Sequence, residues 1–384
     1  TSIATLSVAG EAWFNDAALQ RLLALLNADG GEARVAGGAV RNALMGLAVA
    51  DIDVATTLLS QDVVERAEAA GMKAVPTGIE HGTVTLVIDG TPFEVTTLRR
   101  DIETDGRHAK VSFGTDWQAD AERRDLTINA LYADASGAVV DLVKGLQDIE
   151  SRTIRFIGDA SQRIAEDHLR ILRFFRFFAY YGSGRPDADG LRASARAKDR
   201  LSTLSGERVW GETKKLLSAP DPSRALLWMR QAGVLTEILP ESEKWGIDGI
   251  HPLVAAEAAL GWTPDPLLRL AAIVPPDAER LTAMAKRLRF SNADAAKLAV
   301  WASAPAIPDG DWQAYGRTEH GDRYSPLRQI TPQNAYRLEE AWRIRTGDLP
   351  TDNDPVVEDA GYDDGGFDDG GGFDSGGDDG GDWA

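Results

Sequence analysis

Gly37-Gly38-Ala39-Val40-Arg41, followed ten residues later by Asp51-Ile52-Asp53, is the stretch that decides the fold of this 384-residue chain. The pattern predicts a short apolar strand over 33–36, a glycine turn, one or two helical turns, and a second strand over 51–57. Because side chains alternate along a strand, Asp51 and Asp53 are expected to share one face. Two carboxylates this close repel unless a cation lies between them, so the pair predicts a divalent metal ion.

The glycine pair and Arg41 predict that this ion binds together with a triphosphate. Glycine lets a backbone approach a triphosphate closely, and a guanidinium can bind its charge. Mg²⁺ prefers oxygen ligands and is commonly shared between carboxylates and substrate phosphates. Each half of the pattern has an ordinary alternative, since Gly-Gly turns are common and Asp-x-Asp is often a solvated turn or edge. The function therefore needs support from elsewhere in the chain.

Composition narrows the classes of protein. The absence of cysteine excludes disulfides, thiolate zinc sites and a cysteine nucleophile, and the five histidines show no metal-ligand spacing. No apolar run has the length of a membrane span, and the first residues lack a signal-peptide pattern, so we expect a cytoplasmic protein. The net charge of −19 includes twelve acids, with no Lys or Arg, in 351–384. Elsewhere arginines cluster, and local clusters decide phosphate binding.

A third carboxylate is placed by a predicted hairpin. Residues 83–88 and 91–98 are β-branched runs joined by Asp89-Gly90, a strong hairpin signal. If the second arm lies beside the strand that carries Asp51, Glu94 joins the metal site. If it does not, Glu94 is an exposed residue of a strand.

Three charged segments follow. Residues 99–116 predict a mobile polar loop that closes over a substrate. A helix predicted over 117–132 carries Arg123-Arg124-Asp125, which is either a solvated face or part of a site. A second predicted helix, over 162–181, carries Asp167, Arg170, Arg173 and Arg176 at intervals of three. Such a row is either a set of surface ion pairs or the lining of a cleft, and the apolar rest of this helix favours the cleft.

Residues 191–303 predict successive short helices, among them 205–217 and 277–287, without a catalytic constellation. Residues 311–348 change to polar, Gly-punctuated sequence, and the Asp/Gly-rich end of the chain cannot build a core.

Three motifs in order resemble those of bacterial class II tRNA nucleotidyltransferases, of the CCA-adding enzyme and poly(A) polymerase family. They are Gly37-Gly38-x-x-Arg41 with Asp51-x-Asp53, then Arg123-Arg124-Asp125-x-x-x-Asn129-Ala130, then Glu166-Asp167-x-x-Arg170-x-x-Arg173. The resemblance covers about residues 1–303. It implies template-independent addition of CCA to tRNA 3′ ends from CTP and ATP, with Mg²⁺ and release of pyrophosphate.

The resemblance also implies roles for individual residues. Asp51 and Asp53 would bind Mg²⁺, with Glu94 as the third acid. Gly38, Arg41 and Arg124 would hold the triphosphate, and Asp125 would meet the ribose 2′-hydroxyl. Asp167 and Arg170, supported by Arg173, would hydrogen-bond the edge of the incoming base in place of a nucleic-acid template.

The implied fold class is α+β. A polymerase-β-like head over 1–158, a small mixed sheet with helices, precedes an all-helical neck and body over 159–303. The segment 304–350 is atypical, and 351–384 is expected to be a disordered acidic tail. Within the segment 304–350, residues 311–348 resemble a short piece of quinoprotein glucose dehydrogenases, too short to hold a quinone.

Several alternatives stay open at this stage. Within the same chemistry, the chain could be a poly(A) polymerase or an enzyme that adds only A or only CC. From another class, it could be a catalytically impaired RNA-binding protein or, from 311–348 alone, a quinone-dependent dehydrogenase. The oligomeric state is not predicted.

Overall fold

A mixed sheet of seven strands organises the N-terminal part of the computed structural model, which describes residues 6–78, 81–105, 108–243 and 247–303. The described residues contain nine strands, seven in this sheet and two in a separate pair: β1 (Ala33–Ala36), β2 (Asp53–Thr56), β3 (Lys73–Gly78), β4 (Thr83–Ile88), β5 (Thr91–Thr97), β6 (Arg99–Asp105), β7 (His108–Phe113), β8 (Leu131–Ala133) and β9 (Val139–Asp141). The sheet order is β3-β4-β5-β2-β1-β8-β9, and β6 and β7 form a separate pair. This architecture confirms the predicted α+β class.

Parallel pairing of β2 with β5 is the feature that positions the site. The register places Asp53 opposite Glu94, and β1 lies antiparallel on the other side of β2, with Ala36 opposite Asp53. The predicted hairpin of β4 and β5 is present, with Ile88 opposite Thr91. The condition set by the sequence for Glu94, a position beside the strand of the aspartates, is therefore met.

Fifteen α-helices occur in the described residues. They are α1 (Ala17–Leu26), α2 (Gly38–Leu44), α3 (Ser60–Ala69), α4 (Trp117–Glu122), α5 (Gly145–Ser151), α6 (Ala160–Glu166), α7 (Arg170–Tyr181), α8 (Ala188–Ala197), α9 (Gly206–Leu217), α10 (Ser223–Gln231), α11 (Val234–Ile238), α12 (Ile250–Leu260), α13 (Pro266–Ala271), α14 (Ala278–Arg287) and α15 (Asn292–Ser303). The predicted helices 205–217 and 277–287 are confirmed to within one residue.

The two faces of the sheet are covered differently. One face packs its apolar side chains, such as Val35 and Val54, against leucines of α1 and against α3, in a core that continues into the helical part. The other face carries a smaller cluster around Trp117 and Tyr132. Since Asp53 and Ala55 are two residues apart, both lie on this second face.

The prediction of one helix over 117–132 is correct only as far as residue 122. Asp116 caps α4, which ends at Glu122, and a 3₁₀ turn at Thr127–Asn129 leads into β8. The three residues of β8 are buried and pair with β1 and β9. Burial of the β8 side chains between β1 and β9 therefore outweighs the helical sequence pattern of this segment.

The prediction of a single helix over 162–181 is also wrong. It is two helices, α6 capped by Asp159 and α7, and Asp167 lies between them with an extended backbone (φ −151°, ψ 113°). The Asp167 carboxylate accepts the Leu169 amide N–H at 3.0 Å, as an aspartate commonly does where a helix begins.

Two other expectations change in extent. The strand predicted over 51–57 begins at Asp53, so Asp51 precedes it. The polar loop predicted over 99–116 contains the paired strands β6 and β7, although its role as a cover stays a prediction. The segments 304–350 and 351–384 lie outside the described residues, and the boundary at 158 stays a prediction.

Candidate active site

Two carboxylates lie side by side at the centre of the sheet. Asp53 on β2 and Glu94 on β5 are directly opposite in a parallel pair, and both are half-buried. Asp51 lies two residues earlier, exposed and outside the strand. The structure thus brings together the carboxylates of one predicted strand and of its predicted neighbour, and it places Asp51 at the approach to them.

The donor set suits a hard cation that also has ligands from a substrate. In the described part of the chain, no group of three or more Asp, Glu or His side chains is arranged to hold a metal ion by itself. Mg²⁺ is commonly bound through one or two carboxylates together with substrate phosphates and water. Asp53 and Glu94 therefore fit a shared ion of that kind, and the contribution of Asp51 stays a prediction.

The glycine turn leads from β1 into α2. Gly37 has a φ of 63°, which L side chains rarely adopt, and a Cβ there would lie 3.2 Å from the Asn129 carbonyl oxygen. A Cβ at Gly38 would lie 3.5 Å from an Arg41 guanidinium nitrogen. Both positions therefore keep the backbone open next to a buried cation.

A chain of hydrogen bonds runs from this turn to α7. Arg41 donates to the Asn129 side-chain oxygen, and Asn129 donates to Asp125 at 3.2 Å. Asp125 in turn accepts from Arg173 Nε at 2.8 Å. Arg41 also donates to the Tyr181 hydroxyl at 2.8 Å. The motifs on α2, after α4 and on α7, far apart in sequence, are therefore joined through their side chains.

Asp125 is fully buried in this chain of bonds. Burial by itself would raise the pKa of its carboxyl, but the guanidiniums of Arg173 and Arg170 hold that pKa below its usual range. Hydrogen bonds from Arg173 and Asn129 act in the same direction. Asp125 is therefore an anion at neutral pH, and it fixes the guanidinium of Arg173.

Asp120 forms a second buried centre behind the turn. It is 1% exposed and accepts from Arg123 at 2.9 Å, from Arg124 at 3.1 Å and from the Tyr132 hydroxyl at 2.8 Å. Burial opposes ionisation, yet Arg124 and Arg123 hold the pKa of Asp120 well below its usual range. Arg124 also donates to the Asn129 carbonyl oxygen at 3.3 Å. Asp120 therefore fixes the guanidinium that lies closest to Gly37.

The arginines of α7 each contact a different part of the molecule. Arg170 donates to Glu166 on α6, and Arg173 donates to Asp125. Arg176 donates to Glu212 on α9 at 2.7 Å. All three arginines are buried, so the row is not a set of surface ion pairs, and its place in a cleft stays a prediction.

Asp167 lies beside this row, in the break between α6 and α7. Its second carboxylate oxygen accepts from Arg208 on α9 at 2.7 Å. Both side chains are partly exposed, at 23% for Asp167 and 22% for Arg208. Asp167 and Arg170 therefore face different partners, Arg208 and Glu166.

Four residues of this arrangement were missed as site residues. Asn129 belongs to a quoted motif, and its spacing of four from Asp125 was the available signal. Asp120, Tyr181 and Arg208 gave no signal, since each enters the site through a contact distant in sequence or through a fold not predicted for 117–132.

A mixed sheet with paired acids at its centre, a glycine turn beside them and buried arginines nearby agrees with the nucleotidyltransferase arrangement that the three motifs lead us to expect. Comparisons with known proteins agree. Residues 33–155 match the model described as "Poly A polymerase head domain", and residues 187–245 match "Probable RNA and SrmB- binding site of polymerase A". Residues 312–361 match "Glucose/ethanol/alcohol dehydrogenase, beta-propeller domain", in line with the resemblance of 311–348.

Individual proteins show the same similarity in sequence. The chain is 43% identical over 223 residues to CCA tRNA nucleotidyltransferase 1, mitochondrial, of Mus musculus, which covers 57% of this chain and 51% of the relative. It is 37% identical over 224 residues to a CCA-adding enzyme of Geobacillus thermodenitrificans (strain NG80-2), covering 57% of this chain and 54% of the relative. The chain thus spans about half the length of the curated relatives it matches.

A solved structure extends the similarity to the fold. The Bacillus stearothermophilus CCA-adding enzyme in complex with CTP has a TM-score of 0.65 at 26% identity, over 87% of this chain and 82% of that one. Two segments of the chain thus match models of the poly(A) polymerase family, and its curated relatives are tRNA nucleotidyltransferases, in line with the three motifs. In the described part of the chain, no helix is long and apolar enough to cross a membrane.

Proposed function

We propose that this protein adds C, C and A to the 3′ end of tRNA by nucleotidyl transfer from CTP and ATP, with release of pyrophosphate. The observation that carries the proposal is the Asp53–Glu94 pair next to a glycine turn whose arginine is bonded, through Asn129 and Asp125, to α7. Relatives that share about half their length with this chain are named for this activity.

Mg²⁺ is the proposed cofactor, held by Asp53 with Asp51 and Glu94 nearby. When bound with a triphosphate, it would activate the RNA 3′-hydroxyl and neutralise charge on the phosphates. The residues of the chain itself position the triphosphate. Gly38 leaves the backbone open to the triphosphate, while Arg41 and Arg124, held by Asn129 and Asp120, supply fixed positive charge beside it.

The ribose and base contacts follow from the second half of the site. Asp125 is fully buried and accepts from Arg173, Asn129 and the Leu126 amide, so a bond to a ribose hydroxyl requires this part of the site to open. Asp167 offers an acceptor and Arg170 a donor for the edge of a base, with Arg173 behind them. A bidentate contact of this kind separates bases by about 1–3 kcal/mol.

Incorporation of labelled CTP and ATP into tRNA that lacks its CCA end tests the proposal. We expect ordered addition of C, C and A with the unaltered protein and none with Asp53→Asn or Glu94→Gln. Asp62→Asn and Glu68→Gln remove exposed acids of α3 and serve as matched controls. Unchanged addition by both site variants would refute the assigned roles.

Acceptors of different length separate the activities within the class. tRNAs ending before the first C, the second C or the final A show whether the protein adds CCA, only CC, only A, or a run of A. No addition to any of them by the unaltered protein, despite binding of RNA, would indicate an impaired RNA-binding protein. A cytoplasmic location stays a prediction from composition.

A further inference from the structure

A groove outside the proposed nucleotide site runs between α6 and α8. It has a volume of about 570 Å³, within the range of roughly 300–1,000 Å³ that is usual for ligand pockets. Its lining consists of Ser161, Ile164, Ala165, His168, Ala193, Arg196, Ala197 and Arg200. No residue of the groove belongs to the Asp53–Glu94 pair or to the chain of bonds from Arg41 to Arg173.

The floor of the groove is apolar and its rim is cationic. Ile164 and Ala193 are buried and form the floor, while Arg196 and Arg200 are exposed. Both arginines line the groove, Arg196 near the end of α8 and Arg200 in the 3₁₀ helix that follows it.

These two arginines differ from their neighbours in what they contact. Among the residues that the structure describes, neither has an ion-pair partner, whereas Arg192 on the preceding turn pairs with Asp189. Asp199, the acid next to Arg200 in sequence, accepts from Lys198 at 2.8 Å. The rim therefore presents two positive charges that the described acids do not neutralise.

Positive charge over an apolar floor fits a single nucleic-acid strand. Phosphates bind guanidiniums, and a base covers apolar side chains whatever its identity. One wall contains His168, which follows Asp167 directly in the chain, so the groove begins where the base-selecting segment ends. Both arginines also lie within 187–245, the segment that matches the RNA-binding model.

We propose that this groove binds the single-stranded end of the RNA acceptor, with two phosphates on Arg196 and Arg200 and a base on the floor of Ile164 and Ala193. The inference rests on the proposed function, because it takes RNA as the substrate. It adds a site that holds the strand outside the place of nucleotidyl transfer.

The test measures RNA binding separately from chemistry. Fluorescence anisotropy of tRNA that ends in CC, without nucleotide or divalent metal, is compared for the full chain and for Arg196→Gln/Arg200→Gln across salt concentrations. Loss of two phosphate contacts should lower the slope of log K against log salt by about 1.4 and weaken binding roughly 25-fold at 0.1 M salt. Arg196→Lys/Arg200→Lys should restore most of the affinity because the charge returns.

The matched control is Arg192→Gln/Arg289→Gln, which removes two exposed arginines that have acidic partners. We expect its affinity to stay within about twofold, since ion-paired arginines release fewer counterions. Unchanged affinity in Arg196→Gln/Arg200→Gln would overturn the proposal. Tighter RNA binding by that variant would overturn it as well.

Nucleotide addition at saturating RNA separates this proposal from the proposed function. If the unaltered chain binds RNA through the groove but adds nothing, the groove stands and the transferase activity fails. If it adds CCA while the groove variants bind RNA as tightly as it does, the activity stands and the groove fails.

Discussion

Replacement of Asp120 by asparagine should destabilise the protein strongly. The Asp120 carboxylate accepts from Arg123, Arg124 and the Tyr132 hydroxyl, and its side chain is 2% exposed. Asparagine keeps the shape but removes the carboxylate charge that two buried guanidiniums contact. Breaking a buried ion pair by removing one partner costs about 3–5 kcal/mol, so we expect a loss of that size in the free energy of unfolding.

Urea denaturation followed by circular dichroism measures this loss. Asp116→Asn is the matched control, because Asp116 caps the same helix and asparagine caps helices about as well as aspartate. We expect the control to stay within about 0.5 kcal/mol of the unaltered protein. Since Asp120 fixes Arg124, Asp120→Asn should also weaken CTP binding at temperatures where it is folded. A loss below about 1 kcal/mol, or equal losses in both variants, would refute the role given to the buried charges.

Three further predictions follow from the other buried contacts. Asn129→Ala removes the link between Arg41 and Asp125 and should raise the KM for CTP and ATP alike while lowering the free energy of unfolding by about 1–3 kcal/mol; steady-state kinetics with each nucleotide would contradict it if only one KM changed. Because the pKa of Asp125 is lowered in the folded protein, its stabilisation is present above the unfolded pKa of about 3.9 and is lost as the pH falls through the lower, folded pKa. Urea midpoints between pH 7 and 3 should therefore fall less steeply in Asp125→Asn than in the unaltered protein, and parallel curves would count against this origin. Arg269→Met leaves Glu257 buried without its cation and should cost about 3–5 kcal/mol with nucleotide affinity unchanged, as calorimetric titration would show; a stable variant would mean that Glu257 takes up a proton at little cost.

The elements that sequence predicts well are those whose pattern is local. The hairpin of β4 and β5 has Asp89-Gly90 between β-branched runs, and α9 has a capping Ser205 before an amphipathic repeat. The pair of acids is also predictable from the sequence, because the alternation of side chains along a strand and the pairing of β2 with β5 bring Asp53 and Glu94 together.

The elements that sequence misses are set by distant partners. No proline or glycine marks the break at Asp167, and the ion pair with Arg208, 41 residues away, is invisible in the local pattern. Leu131 and its neighbours continue a helical spacing, yet the open edge of β1 draws them into the sheet. Charge composition likewise does not show which arginines are buried beside acids.

The bond from Arg41 to the Tyr181 hydroxyl spans 140 positions of the chain. During synthesis, the sheet can begin to assemble from residues before 142, but the side chain beside the glycine turn acquires this partner only after α7 has left the ribosome. Contacts of such sequence separation form late and slowly, because a long loop must close first. A nascent chain that stops before residue 181 therefore has its acids in place and its arginine unanchored. Arrest at that length would give a species that is folded in its sheet and immature in its site.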